Sequence, residues 1–130
     1  VCKINAYKLG VKNRVRLIKS DIDKFSNGKY DLIISNPPYI KKFELKKLHK
    51  EVRNYEPRLA LDGGLEGISV IRKVINKSSE LIKTHGKLIL EIGCDQTELI
   101  KKMLNKKGFY INEIVKDLAK KDRCIISTKK

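Results

Sequence analysis

Blocks of apolar and polar residues alternate along the chain in an order that predicts an α/β protein. Short apolar runs at Tyr30–Ser35 and Lys87–Ile92 are typical of strands buried on both faces, which favours a parallel sheet. Val15–Lys19 alternates between apolar and polar residues and predicts a further strand. Tyr110–Val115 and Cys124–Thr128 predict two final strands, which we expect to form an antiparallel hairpin with a long connection.

Apolar residues at helical spacing predict the elements between these strands. Helices are expected over residues 1–9, 42–55 and about 66–84, and around Leu99–Leu104. Gly86 and Gly108 follow the last two helices, as residues that stop a helix do. Strands that alternate with helices indicate a layered α/β architecture.

In open α/β sheets, ligands bind outside the carboxyl ends of the strands. Polar residues follow three of the predicted strands, at Ser20–Asp21, Ser35–Tyr39 and Glu91–Asp95. These three places are therefore the first candidates for a functional site.

The chain has 130 residues, a length typical of a single domain, and its formal charge is +15. The 30 cationic residues are 24 Lys and 6 Arg, and the lysines are scattered. Such a pattern is typical of a solvated surface, while an RNA- or ribosome-related environment stays open as the alternative. No apolar run approaches the ~20 residues of a membrane span.

The three cysteines and two histidines show no spacing that would bind zinc, so we predict no metal site. Free thiols packed in a core in a reducing cytoplasm are the expected state of Cys2, Cys94 and Cys124.

The most informative stretch is Asn36-Pro37-Pro38-Tyr39, directly after an apolar strand. Proline fixes φ and forces the residue before it into an extended conformation, so this loop is stiff. The prolines lack an N–H, so their carbonyl oxygens are acceptors with no competing local donor. The Asn36 side chain offers another acceptor oxygen. Two acceptors in a fixed orientation suit a planar –NH₂ group, against which the flat Tyr39 ring can lie.

Such a loop orients an amide or an exocyclic amine and needs no general base. By accepting hydrogen bonds from both N–H groups, the loop can aim the nitrogen lone pair at a methyl donor. This is catalysis by orientation and local electrostatics. The nitrogen is far more acidic after transfer, so the proton can leave then.

Here the chain resembles a known family. Asn36–Tyr39 after Asp31–Ser35 looks like the amino-methyltransferase motif of the class I S-adenosylmethionine-dependent methyltransferases. Three further blocks resemble the release-factor glutamine methyltransferases (the HemK/PrmC family): Tyr55–Gly67, Glu91–Gly93 with Gln96, and Asp117–Leu118 with Arg123. The resemblance runs over essentially all 130 residues.

The resemblance implies a role for each residue of the loop. Asn36 and the backbone carbonyl of Pro37 would bind the substrate glutamine amide, and Asn36 would also lie beside the cofactor. Pro38 and Tyr39 would complete the substrate pocket. Asn36, Pro37 and Tyr39 are therefore the expected catalytic residues.

Further residues match the family less closely. Asp21 and Ile22 would flank the adenine of S-adenosylmethionine, although the family often has an aromatic residue at the position of Ile22. Asp21 could instead be a turn or helix-cap residue. Glu56, Arg58 and Asp62 either shape the substrate pocket or form salt bridges within their loop.

Two parts of the family pattern do not occur in this sequence: the Gly-rich cofactor loop after the first strand, and the acidic residue that ends the second strand. The chain also begins with Val1 rather than Met. We therefore expect residues 1–130 to be the C-terminal portion of a single catalytic domain, lacking its first two strands, its Gly-rich loop and an N-terminal domain. The isolated fragment is expected to be inactive, with an open apolar edge at Tyr30–Ser35.

The leading hypothesis is methyl transfer from S-adenosylmethionine to the side-chain amide of the Gly-Gly-Gln glutamine in peptide chain release factors, in the cytoplasm. One alternative is an adenine amino-methyltransferase acting on DNA or RNA. The other is a non-catalytic basic remnant that binds RNA or a partner subunit.

Overall fold

Four strands of one mixed sheet and four helices make up the computed structural model, which describes residues 1–47 and 57–130. The strands are β1 (Tyr30–Ser35), β2 (Ile82–Glu91), β3 (Phe109–Lys116) and β4 (Asp122–Lys129). The helices are α1 (Cys2–Lys8), α2 (Arg58–Leu61), α3 (Ser69–Leu81) and α4 (Thr97–Lys106). Single 3₁₀ turns occur at Lys12–Arg14, Ile22–Lys24 and Leu45–Lys47.

The strand order is β1-β2-β4-β3, with β1 and β2 parallel and β4 antiparallel to both of its neighbours. Parallel strands need a long crossover, and the chain between β1 and β2 supplies it with α2 and α3. The predicted parallel pair and the predicted antiparallel hairpin are both confirmed.

The core lies where α3 and α4 pack against the sheet. Ile71, Val74 and Ile75 form the buried stripe of α3, as the spacing in the sequence predicts. Leu88 and Leu90 of β2 are completely buried against the helices. Each such side chain contributes about 1.5–3 kcal/mol through burial, so the middle of β2 is a rigid base for the loops at its carboxyl end.

Residues 15–19 do not form the predicted strand. Val15, Leu17 and Ile18 are all close to half exposed, and the segment has no ladder partner among the described residues. A strand is stabilised by hydrogen bonds to a neighbour as much as by its own apolar pattern. Alternation alone therefore overestimates the order of this segment.

Gly86 does not stop a helix, because α3 already ends at Leu81 and Gly86 lies within β2. The register jumps from Tyr30↔Ile82 to Leu32↔Lys87, so the chain bulges between these pairs. A Cβ on Gly86 would lie 2.7 Å from the Ile82 side chain and 3.1 Å from the Asp31 carbonyl oxygen. The glycine thus permits the close approach of β1 and β2 at the bulge.

The expectation that β1 is buried on both faces is wrong, since Leu32 and Ile34 are 48% and 68% exposed. In the part of the chain that the structure describes, β1 pairs with β2 alone and forms one edge of the sheet. The open apolar edge predicted at Tyr30–Ser35 is therefore present in the described structure.

The helix predicted over residues 42–55 can be compared only in part. Its described portion contains the 3₁₀ turn Leu45–Lys47, and residues 48–56 lie outside the described residues. None of the helices described here combines the length and apolar character needed to cross a bilayer.

Candidate active site

The loop Asn36–Tyr39 leaves β1 at the carboxyl end of the strand, next to the same end of β2. Two prolines end the strand there because they cannot donate to the ladder. Asn36 is exposed, Pro37 is buried, and Pro38 and Tyr39 are half-buried. A cavity of about 420 Å³ opens beside them, lined by Asn36, Pro37, Pro38, Tyr39, Ile40, Ala60 and Leu61. The structure thus brings all four predicted loop residues to one cavity.

The hydroxyl group of Tyr39 both donates and accepts a hydrogen bond, and these two bonds fix the side chain. Its O–H donates to Glu91 Oε1 at 3.1 Å, and Arg123 Nη1 donates to the Tyr39 oxygen at 3.4 Å. The Arg123 guanidinium lies 5.8 Å from the ring centroid, within reach of a cation–π interaction. Burial, followed by the hydrogen bond and negative charge of Glu91, raises the pKa of Tyr39. The phenol therefore stays protonated and holds the ring in place.

Arg123 is held in turn by Asp117, through Nη2–Oδ2 and Nε–Oδ2 contacts of 2.8 and 3.3 Å. Its Nη1 also donates to the Ile92 carbonyl at 3.4 Å. The hydrogen bond from Arg123, and after it that from the Lys121 backbone N–H, keep the pKa of Asp117 below its usual value. The sequence singled out Asp117 and Arg123 only by resemblance, and the structure places them behind Tyr39.

A second segment, Asp62–Gly67, lies along the chain that follows Tyr39; we call it the glycine segment. Ile40 N–H donates to Leu61 C=O at 3.2 Å, Gly63 N–H to Ile40 C=O at 2.9 Å, and Lys42 N–H to Gly64 C=O at 3.0 Å. This strand-like pairing joins the Leu61–Gly64 part of the Tyr55–Gly67 block to Ile40–Lys42, the chain directly after the Asn36–Tyr39 loop.

Asp62 neither pairs with a cation among the described residues nor lines the cavity. Its Oδ1 accepts from the Gly64 N–H at 2.9 Å and so stabilises the turn of the glycine segment. Arg58 begins α2, and Glu56 lies outside the described residues.

Gln96 ties these loops together, and residue-by-residue reasoning gave it no role. It is only 4% exposed. Its Nε2 donates to the carbonyls of Tyr39 and Gly67, and its Oε1 accepts from the Gly93 N–H. The one signal in the sequence was the Gly93-x-x-Gln96 block of the resemblance, because no single-residue pattern reveals a buried amide.

Asp21 and Ile22 lie apart from this cavity. Asp21 caps the turn Ile22–Lys24, with Oδ1 accepting from the Asp23 N–H at 3.1 Å. Ile22 lines a different, apolar groove of about 300 Å³ beside Ile33 and Ile34. The cap role considered for Asp21 is therefore present in the structure, and its cofactor role stays a prediction.

All three thiols are free, as expected, but they do not pack in the core. Cys2 and Cys94 are exposed and Cys124 is half-buried. Cys94 lies in the turn after β2, where the chain faces solvent. Across the described ranges, no three His, Cys, Asp or Glu side chains gather into a group that could hold a metal ion.

Known proteins resemble this chain in sequence and in fold. The family model "Eco57I restriction-modification methylase" matches residues 3–115. The release factor glutamine methyltransferase of Clostridium acetobutylicum is 35% identical over 99% of this chain and 46% of its own length. That of Moorella thermoacetica is 40% identical over 98% of this chain and 45% of its own length. The chain spans about half the length of these curated relatives.

Solved structures share the fold at low sequence identity. TrmN from Thermus thermophilus aligns with 98% of this chain and 32% of its own, at a TM-score of 0.63 and 16% identity. A putative rRNA-methylase from Clostridium thermocellum aligns with 98% of this chain and 66% of its own, at a TM-score of 0.59 and 14% identity. The predicted α/β methyltransferase fold is confirmed.

The family model covers most of the 130 residues, and the relatives align over nearly the whole chain. The resemblance to the release-factor glutamine methyltransferases is thereby confirmed. The chain belongs to the Eco57I restriction-modification methylase family, as a member similar in sequence to the release factor glutamine methyltransferases.

Proposed function

We propose that this chain forms part of an S-adenosylmethionine-dependent enzyme that methylates the side-chain amide of the Gly-Gly-Gln glutamine in peptide chain release factors. The observation that carries the proposal is the cavity lined by Asn36, Pro37, Pro38 and Tyr39 at the carboxyl end of β1. The names of the relatives support the substrate. We place the reaction in the cytoplasm, close to the ribosome.

Asn36 and Pro37 act by orientation. The Asn36 side-chain oxygen and the Pro37 carbonyl accept the two N–H bonds of the glutamine amide. Pro37 is buried and both prolines are stiff, so the Pro37 carbonyl keeps its direction, and the exposed Asn36 side chain turns to complete the pair of acceptors. Fixing the amide plane in this way turns the nitrogen lone pair toward the methyl donor.

Among the described residues, we assign Asp21, Ile22 and Asn36 to the S-adenosylmethionine site. Asp21 presents an exposed carboxylate and Ile22 an apolar side chain, which suit the polar edge and the flat face of an adenine. When bound, the cofactor supplies an electrophilic methyl group. These residues account for part of a cofactor site, and Asn36 belongs to both the cofactor side and the substrate side.

No group in the cavity needs to act as a base. The Tyr39 hydroxyl already donates to Glu91, and its raised pKa keeps it protonated at neutral pH. Methyl transfer would form the N–C bond as the S–C bond of the donor breaks, leaving the electron pair on sulfur, and the methylated nitrogen would become strongly acidic. It then releases a proton to water. The chemistry therefore requires acceptors and a rigid loop, both of which this chain contains.

The test is Asn36→Ala in the complete protein that carries this chain, assayed for methyl transfer to a release factor. Loss of one positioned polar partner costs roughly 10²–10³ in rate in comparable sites, so at least a hundredfold loss is expected with the fold intact. Asn105→Ala, on the exposed face of α4, is the matched control and should keep full activity. Wild-type activity in Asn36→Ala would refute the mechanism.

The family description, a restriction-modification methylase, leaves the second candidate to be tested, an amino-methyltransferase acting on adenine in DNA or RNA. The same two acceptors would then bind the exocyclic amine. An adenine-containing oligonucleotide in the same assay distinguishes the candidates, since only one of the two substrates should accept methyl. Transfer to neither would favour the non-catalytic alternative.

A further inference from the structure

We propose that Gln96 is a positioning residue for the reaction: its buried amide sets the Tyr39 carbonyl and thereby the direction of the acceptors at Asn36 and Pro37. This inference rests on the proposed function and adds a residue to its machinery. Gln96 directly precedes α4, so it is anchored on a rigid helix rather than on a mobile loop.

The Gln96 amide joins three separate loops. Nε2 donates to Tyr39 C=O at 3.0 Å, in the segment after β1, and to Gly67 C=O at 3.1 Å, in the glycine segment. Oε1 accepts from Gly93 N–H at 2.9 Å, in the turn after β2. Two donors meet two acceptors and one acceptor meets a donor, so only this orientation of the amide satisfies all three bonds.

Backbone spacing around the amide provides an independent observation. A Cβ on Gly67 would lie 2.4 Å from the Tyr39 carbonyl oxygen and 2.7 Å from Gln96 Nε2. A Cβ on Gly93 would lie 3.0 Å from Gln96 Cδ. Both contacts are too close for any side chain larger than glycine without movement. The glycines and the amide therefore form one packed unit.

The effect on substrate follows from the stiffness of the loop. The Pro37 carbonyl is two residues before the Tyr39 carbonyl that Gln96 holds, and the intervening Pro38 has a fixed φ. Pro38 thus removes one of the rotatable dihedral angles between the two carbonyls, so a displaced Tyr39 peptide shifts the Pro37 carbonyl as well. Gln96 controls the acceptors without touching the substrate.

Two variants of the complete protein test the inference. Gln96→Met keeps the volume and removes all three bonds, and Gln96→Glu places a carboxylate against two carbonyl oxygens. We expect kcat/KM for the release factor to fall roughly tenfold or more in both at neutral pH, equivalent to about 1.4 kcal/mol. Ser127→Ala is the matched control, because it removes a buried hydroxyl bonded to the Leu88 carbonyl, away from the loop.

The pH profile distinguishes positioning from a general loss of stability. A buried glutamic acid has a raised pKa, so acidification from roughly pH 8 to pH 6 protonates it and restores one donor. At a temperature where every variant is folded, the activity of Gln96→Glu relative to wild type should rise over this range. The ratio for Gln96→Met should stay flat. A flat ratio for Gln96→Glu, or kinetics of both variants equal to Ser127→Ala, would overturn the inference.

Amide exchange provides a readout that does not depend on activity. Gln96→Met should speed exchange at the Ile40, Lys42 and Gly63 amides, which bond across the glycine segment, and leave β3–β4 unchanged. If Gln96→Met shows this faster exchange but the wild-type protein methylates no release factor, the proposed function is refuted and the positioning role of Gln96 is retained. Exchange that is unchanged, or faster everywhere alike, would refute the positioning role itself.

Discussion

Gly67→Ala tests how closely the glycine segment must approach the loop after β1. Gly67 has φ +72° and its Cβ would fall 2.4 Å from the Tyr39 carbonyl oxygen, a backbone atom. Gly108 has nearly the same φ, +76°, but its Cβ would meet only the mobile end of Lys129, at 3.2 Å. The two positions therefore share backbone strain and differ in contact.

The magnitude follows from these two contributions. Placing an alanine in the left-handed region costs roughly 1–2 kcal/mol at either position. At Gly67 the carbonyl of Tyr39 must also move, which breaks buried hydrogen bonds of Gln96. Each buried group left without its partner costs about 1–3 kcal/mol. The free energy of unfolding should thus fall by roughly 2–4 kcal/mol more in Gly67→Ala than in Gly108→Ala.

Urea denaturation of both variants and the wild-type protein, with m-values held in common, measures this difference. Methyl transfer by folded Gly67→Ala should also be reduced, because the displaced carbonyl belongs to the loop that we propose binds the substrate amide. Equal destabilisation of the two variants would show that the backbone around Gly67 yields easily. The close packing inferred around Gln96 would then be wrong.

Two more predictions concern the side chains behind Tyr39. Tyr39→Phe keeps the ring and loses the bonds to Glu91 and Arg123, so stability should fall by about 1 kcal/mol while methylation persists; a rate loss above roughly a hundredfold would assign the hydroxyl a chemical role. Arg123 lowers the pKa of Asp117. The ionised carboxylate therefore stabilises the folded protein above the unfolded-state pKa near 3.9, and this stabilisation is lost as the pH falls through the folded-state pKa. Thermal melts below about pH 5 should show this loss for wild type and a shallower one for Asp117→Asn.

The sequence predicted most of the architecture because the core pattern is strong. Apolar residues are buried at helical spacing in α3 and at strand spacing in the middle of β2 and in the final hairpin. The loop Asn36–Tyr39 was equally visible, because proline restricts the backbone whatever surrounds it. These features depend on local chemistry, which the sequence contains directly.

The failures have the opposite origin. Whether Val15–Lys19 becomes a strand depends on a neighbour, and whether Gly86 stops a helix or permits a bulge depends on β1. Gln96 and Arg123 gain their roles from partners 57 and 84 residues away in sequence, at Tyr39. Contacts at such separation follow from the assembled sheet and leave no local pattern.

The antiparallel direction of β4 affects when the Asn36–Tyr39 loop gains its contacts during folding. Because β4 runs antiparallel to β2, its first residues, including Arg123, return to the edge where β1 and β2 end. During synthesis the loop is made 84 residues before this anchor, and a contact across so long a stretch forms late in folding. A nascent chain can therefore bury the part of its core that α3 and β2 form before the Tyr39 hydroxyl gains its Arg123 partner, so this contact is expected to be among the last to form.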